Sequence, residues 1–297
     1  MPELPEVETV LRGLRQRAVG RRITQVEVHH AGVIVGTAEE FAKAVSGRVI
    51  AALRRKGKAL GLELRAKNGA AARFLLVRLG MTGQFVVMPR AAPLENHTHV
   101  RMVLDDGRDE IRYRDVRRFG RLRCCTAEEL EAVFARLGPD APDIREEEFL
   151  AALLGRRGAI KSWLMNQQFL AGLGNIYADE ALYAARIHPL TQAGRLSPPA
   201  ARTLLRAMKR VLARALHFGG TSFRDYLGAD GEPGEFLEKL NVYQRTGERC
   251  RRCRTQIRRI VVTGRSSHFC PRCQPRPRQP ARMHGPRKPL PPSRRRR

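Results

Sequence analysis

Gly138-Pro139-Asp140-Ala141-Pro142 divides the chain into two halves of different texture. A glycine and two prolines within five residues interrupt both helix and sheet, so the stretch reads as the centre of a linker over residues 134–145. On its N-terminal side, from Ile23 to about Arg123, short β-rich runs follow one another: Ile23–Val28, Phe74–Leu79, Gln84–Val87, Val100–Leu104 and Glu110–Arg114. Turn signals such as Asn68-Gly69 and Asp106-Gly107 separate them, and strands at this spacing predict a sandwich or barrel. Ahead of them Leu4, Val7, Val10, Leu11 and Leu14 recur at helical spacing, with Pro5 in the first turn and Gly20 as a stop, which predicts a helix over 3–18. Residues 1–133 are thus expected to form a helix-capped β-sandwich, with a further helix over 127–137.

On the C-terminal side the pattern turns helical over 146–154, 159–168, 174–186, 197–217 and 233–239, punctuated by Gly172-Leu173-Gly174 and Pro198-Pro199. Residues 146–240 read as a mostly α domain and 241–274 as a small cysteine-bearing hairpin. Residues 275–297 hold seven prolines and nine basic residues with almost nothing to bury, and read as a disordered basic tail. The class expected is α+β.

The net charge is +27, from 56 Lys and Arg against 29 Asp and Glu. Removing the nine tail charges leaves +18 on residues 1–274, so the folded part is itself basic. Such a balance points to a polyanion, nucleic acid first and an anionic membrane second. No apolar run approaches the roughly 18 residues that span a bilayer, and the acidic Met1–Glu6 start lacks a signal-peptide core, so a cytosolic protein is expected. Six cysteines in a reducing compartment are then not expected to pair as disulfides. Adjacent Cys124 and Cys125 should face opposite sides of a strand.

Cys250-Arg-Arg-Cys253 and Cys270-Pro-Arg-Cys273 are separated by sixteen residues. Two such knuckles close a tetrahedral thiolate site for one structural zinc, with no position left open for water; redox dithiols are the alternative. The strand–turn–strand between them is too small to fold without metal, and it carries Arg265 at its tip. At the other end, Pro2 follows the initiator methionine, and removal of Met1 would expose a secondary amine. An α-amino group titrates near ~8 against ~10.4 for lysine, so much of it is unprotonated at neutral pH. It could attack a sugar carbon to form an iminium, with Glu3 and Glu6 close enough to manage protons. A proline followed by glutamates is also ordinary helix-start chemistry.

Pro2-Glu-Leu-Pro-Glu-Val-Glu8 resembles the N-terminus of the bacterial formamidopyrimidine-DNA glycosylases, which repair 8-oxoguanine. The likeness runs over residues 2–273 through Arg54-Arg-Lys-Gly-Lys58, Leu79-Gly-Met-Thr-Gly83, Asp115-Val-Arg-Arg-Phe-Gly120, Leu173-Gly-Asn-Ile-Tyr-Ala-Asp-Glu180, Gly219-Gly-Thr-Ser-Phe-Arg-Asp-Tyr226, Val242-Tyr243 and the four cysteines. It implies a helix–two-turns–helix domain with a zinc finger after the sandwich. It implies a monomer that acts on duplex DNA containing oxidised bases. Pro2 would attack C1′ while Glu3 moves protons, Lys58 would grip phosphate and assist β-elimination, and Arg265 would touch the phosphate beside the lesion during δ-elimination. Met81, Arg117 and Phe119 would fill the gap left by an extruded base. His97, Arg156, Lys161 and Asn175 fall at further DNA-contact positions, and Gly219–Gly234 would form a loop over the damaged base. Glu180 is given only a supporting part.

The sequence departs from the family pattern at Arg78 (usually His), Val116 (usually Pro), Ala59 (often aromatic) and Ser162 (often Pro). These changes bear on lesion preference and opposite-base filtering. Two rivals remain at this level: a sister glycosylase acting on oxidised pyrimidines, and a non-enzymatic zinc-ribbon binder of nucleic acid.

Overall fold

The structure, a computed structural model, describes residues 2–67, 69–222 and 227–276. Met1, Asn68, Phe223–Tyr226 and the tail from residue 277 lie outside the described residues, and with them part of the expected 68–69 turn, of the 219–234 loop and of the basic tail.

Helix α1 (Leu4–Arg17) buries the predicted stripe and is closed at its start by a capping box in which Glu3 and Glu6 each bond the other's turn. Eight strands follow: β1 (Ile23–Val28), β2 (Val49–Lys56), β3 (Ala59–Arg65), β4 (Arg73–Arg78), β5 (Gly83–Pro89), β6 (Thr98–Leu104), β7 (Asp109–Asp115) and β8 (Arg121–Cys125). They form two antiparallel four-stranded sheets, ordered β1-β6-β7-β5 and β2-β3-β4-β8. The core joins the sheets through residues such as Leu62, Val77, Phe85, Met102, Ile111 and Tyr113, with α1 packed beside them. The expected sandwich is present, with three strands (β2, β3 and β8) that periodicity did not mark off. It also has a short helix α2 (Ala38–Val45) inside the stretch taken as all β. The Thr37/Glu40 capping box that starts α2 was legible in the sequence. Helix α3 (Ala127–Ala135) starts on the same device, Thr126/Glu129. Cys125 joins a satellite cluster with Phe74, Leu76, Leu130 and Phe134, whereas Cys124 packs against the main core, so the pair does face opposite sides.

The C-terminal half contains α4 (Glu146–Leu153), α5 (Ile160–Leu164), α6 (Asn175–Ala184), α7 (Pro198–His217) and the hairpin β9 (Arg258–Val262) with β10 (Arg265–Phe269). None of the described helices is long and apolar enough to cross a membrane. Two helical expectations are corrected. The helix over 159–168 stops at Leu164, because residues 166–174 form a loop in which the Asn166 side chain accepts the Gln168 N–H and the Gln167 amide bonds Leu173 O and Gly172 N. The helix over 233–239 is only a 3-10 turn, Phe236–Lys239, since the N–H groups of Glu235 and Phe236 are committed to Phe218 O and Gly220 O.

Residues 138–144 are not a loose tether. Ala171 N–H bonds Pro139 O, Ala141 N–H bonds Ala171 O, and Asp140 accepts the Gly57 N–H (2.7 Å) and an Arg55 N–H (2.9 Å). The β2–β3 turn is thereby tied to the loop before α6. The halves meet again where Val87 N–H bonds Ala229 O and the buried Ala229 joins the N-terminal core.

The hairpin is held to α6 by two buried acids. Asp179 accepts from Ser267 Oγ and His268 N–H, both at 2.8 Å, and sits 2.7 Å from Lys161 Nζ. Glu180 accepts the N–H groups of Asn241, Val242 and Tyr243, consistent with a supporting part. Lys161 corrects a further expectation. It is fully buried, its ammonium donating to Ser266 O (2.8 Å), so it braces the finger from within and not from the surface. Burial pushes its pKa down while Asp179 opposes that shift. Lys161→Ala would leave the Asp179 carboxylate buried without a counter-charge, an expected loss of about 3–5 kcal/mol in a denaturant titration. Unchanged stability with weaker DNA binding would restore the phosphate-contact role.

Candidate active site

The site is built where the start of α1 meets the start of α6. Glu3 is buried, and its carboxylate accepts the N–H groups of Gly174 (2.7 Å), Ile176 (2.9 Å) and Tyr177 (3.4 Å). These are among the unpaired donors of the α6 N-terminus, where backbone dipoles favour an anion. Leu4 N–H bonds Gly172 O at 3.0 Å, which fixes the chain direction at the same place. Gly172 has a φ of +97° and an added Cβ would strike Leu4, so a side chain is excluded there on both counts.

Glu6 is as buried as Glu3 and engaged by three donors. Its carboxylate accepts the Glu3 N–H (2.7 Å), the Thr221 N–H (2.7 Å) and the Tyr177 hydroxyl. Burial raises its pKa, with the neighbouring Glu3 charge adding to the effect. Thr221 begins the 219–234 segment, whose two stems are joined by Gly234 N–H to Ser222 Oγ at 2.8 Å. Glu6 thus ties that segment to α1.

Pro2, Lys58, Ala59, Arg78 and Phe119 line one cavity of about 370 Å³. A second, of about 280 Å³, is lined by Lys58, Asn166, Gly174 and Arg265. Lys58 and Gln167 border both, so the chain start, the β2–β3 turn and the finger tip converge. A Cβ on Gly174 would lie 2.5 Å from Glu3 Oε1 and 2.6 Å from Lys58 Nζ, which puts the two charged groups at one glycine. Burial lowers the Lys58 pKa, Glu3 and Glu6 oppose that shift, and Arg265 adds to it. Lys58 is therefore no ordinary surface lysine. Two of the departures, Ala59 and Arg78, are cross-strand partners on β3 and β4 and border the Pro2 cavity.

Met81 (37% exposed) and Phe119 (56%) stand out from two neighbouring loops, and the Arg117 guanidinium lies 4.7 Å from the Phe119 ring centre. Solvent-facing apolar groups beside an arginine are what a wedge into stacked bases requires. Sequence reasoning missed the residue that holds them. Asp115 is fully buried; one carboxylate oxygen accepts from Thr82 Oγ and Arg117 N–H (3.3 Å), the other from Gly120 N–H (2.8 Å) and Tyr113 OH (3.1 Å). Its signal was the aspartate opening Asp115–Gly120, a residue type that bonds turn N–H groups.

His97 is exposed at the start of β6 with φ +68°, and Arg156 is exposed over the Trp163 ring at 4.6 Å. Asn175 opens α6 as expected. The Sγ atoms of Cys250, Cys253, Cys270 and Cys273 lie within 4.8 Å of one another, with 3.9 Å from Cys250 to Cys273 and 3.4 Å from Cys253 to Cys270. Sulfurs around a tetrahedral metal with bonds of about 2.3 Å stand about 3.8 Å apart, so the four thiols fit such a centre.

Residues 1–122 match the formamidopyrimidine-DNA glycosylase N-terminal domain, 137–226 the formamidopyrimidine-DNA glycosylase H2TH domain, and 247–276 the zinc finger found in FPG and IleRS. A formamidopyrimidine-DNA glycosylase of Salinispora arenicola is 44% identical over 292 residues, spanning 96% of this chain and 100% of that one. A Lactococcus lactis FPG variant in complex with Fapy-dG-containing DNA superposes with a TM-score of 0.85 at 35% identity, covering 93% of this chain and 100% of that one. MutM in complex with carbocyclic 8-oxo-G-containing DNA does so at 0.84 and 35%, with the same coverage. The matched domains span most of the chain and the relatives are matched over nearly their whole length: the chain belongs to the formamidopyrimidine-DNA glycosylase family.

Proposed function

We propose that the chain excises oxidised purines from duplex DNA and then cuts the strand, with the imino nitrogen of Pro2 as nucleophile once Met1 is removed. The observation that carries the reading is the Glu3 carboxylate, bound by three N–H groups of the α6 start and holding the adjacent Pro2 at a cavity shared with Lys58. The Pro2 lone pair forms a bond to C1′, and the base leaves with the electrons of the glycosidic bond and takes up a proton. Ring opening gives an iminium. Loss of a C2′ proton then expels the 3′ phosphate, and a second elimination expels the 5′ phosphate. Glu3 accepts and returns the mobile proton, and Lys58 and Arg265 neutralise the phosphates on either side.

Met81, Arg117 and Phe119 occupy the space of the extruded base, and His97, Arg156 and Asn175 contact the backbone. Zinc is the metal that suits four clustered cysteines in this geometry; it holds the hairpin that presents Arg265 and supplies no chemistry to the reaction. The protein acts as a monomer in the cytoplasm, and the basic tail tethers it to DNA through charge alone.

Excision rates on 8-oxoguanine:C and thymine glycol duplexes separate this reading from a pyrimidine-directed one. Faster release of 8-oxoguanine is expected, and a strong pyrimidine preference would overturn it. Gly174→Ala is a second test. Its methyl group would meet the Glu3 carboxylate and Lys58 Nζ at sub-contact distance, so single-turnover excision should fall on the order of a hundredfold while duplex binding persists. Parental turnover in that variant would contradict the assignment of Glu3 and Lys58.

A further inference from the structure

A concavity of about 550 Å³ lies between α7, the C-terminal end of α6 and the first cysteine knuckle. Arg206, Arg210 and Arg214 reach it from α7, Arg251 and Arg252 from the knuckle, and all five are exposed. Steps of four residues put the first three on one helix face in successive turns, over about 12 Å. Nearby Arg202 and Arg245 are paired with Glu146 and Glu248. Among the described residues none of the five groove arginines has a salt-bridge partner. Arg251 donates instead to the Glu238 carbonyl (2.8 Å), and Arg252 lies over the Tyr183 ring at 4.6 Å. Like charges stacked along a helix repel, so the groove holds an unmet demand for anionic groups.

Its position separates it from the excision chemistry. The catalytic cavities adjoin the N-terminal end of α6, and the groove adjoins the far end of that ten-residue helix, about 15 Å away. Between the arginines its lining includes Ala184, Ala207 and Val211, beside the polar Thr203 and Asn241. The groove offers the bases of a single strand no exposed aromatic platform, since Tyr183, the aromatic side chain there, is buried beneath Arg252. The chain's own tail is excluded as occupant, since residues 275–297 carry nine basic residues and no acid.

We propose that this groove binds a short acidic peptide segment of a partner protein, with the carboxylates on the arginines and an apolar side chain against Ala184, Ala207 and Val211. Arginine matches carboxylates with paired N–H donors, and apolar side chains set between such groups fix both register and sign of charge.

Fluorescence anisotropy tests this with four labelled probes: a polyaspartate peptide ending in Leu-Phe, its asparagine counterpart, an all-aspartate peptide, and oligothymidylate. Full-length protein and the Arg210→Glu/Arg214→Glu variant carry the same tail, so the tail's charge cancels in the comparison. The variant should bind the acidic peptide about tenfold or more weakly at near-physiological ionic strength, with excision of a lesion duplex unchanged. Val211→Gln, which keeps the charge, should weaken the Leu-Phe peptide and not an all-aspartate one. Equal peptide affinity in parent and variant would overturn the proposal. So would a loss confined to oligothymidylate, which would make the groove a single-strand site, or a parallel fall in excision, which would place it in the path of damaged DNA.

Discussion

A buried carboxylate at the start of one helix, bonded to the backbone at the start of another, sets the geometry on which the rest of this molecule depends. Glu3 caps α1 with its own turn and accepts three N–H groups from the beginning of α6. The two helices belong to different halves of the chain, 171 residues apart at the closest bonded pair. A buried charge is tolerated only where donors replace water, and here the donors are the unpaired amides of a helix end. Pro2, the residue before Glu3, borders a cavity that Lys58 and Phe119 also line. Rigid presentation matters for an amine nucleophile because small misplacement costs rate steeply.

Two other buried acids repeat the device at the edges of the site. Asp140 holds the turn that carries Lys58, and Asp115 holds both loops that carry Met81, Arg117 and Phe119. Asp179 and Lys161 then seat the finger whose tip carries Arg265. Met81, His97, Arg117, Phe119 and Arg156 stand exposed and Lys58 and Arg265 line cavities, whereas the acids that hold their loops are buried. The basic surface and this set of internal acids have separate jobs, one to attract the polyanion and the other to hold the reactive groups still.

Much of this was legible in the residues. Helical spacing marked α1, alternation marked the sandwich, and paired Cys-x-x-Cys knuckles marked the finger. What escaped was long-range pairing. Nothing local told that Asp140, inside an apparent linker, would cap the Gly57 turn 83 residues away. The family resemblance places Lys161 at a DNA contact, and only the fold shows it facing Asp179. The 233–239 helix failed because its N–H groups were claimed by Phe218 and Gly220, a tertiary competition invisible to periodicity. The shortness of α5, the mostly half-buried β2 and the nearly unbroken burial of β3 set similar limits.

Burial makes Lys58 a second amine with a lowered pKa at the cavity Pro2 borders, so the identity of the nucleophile is the sharpest point of the account. Peptide mapping by mass spectrometry of the borohydride-reduced adduct with a lesion duplex decides it. The account expects the sugar remnant on the nitrogen of Pro2, in protein that has lost Met1. A remnant on Lys58, or fully active protein that retains Met1, would contradict it.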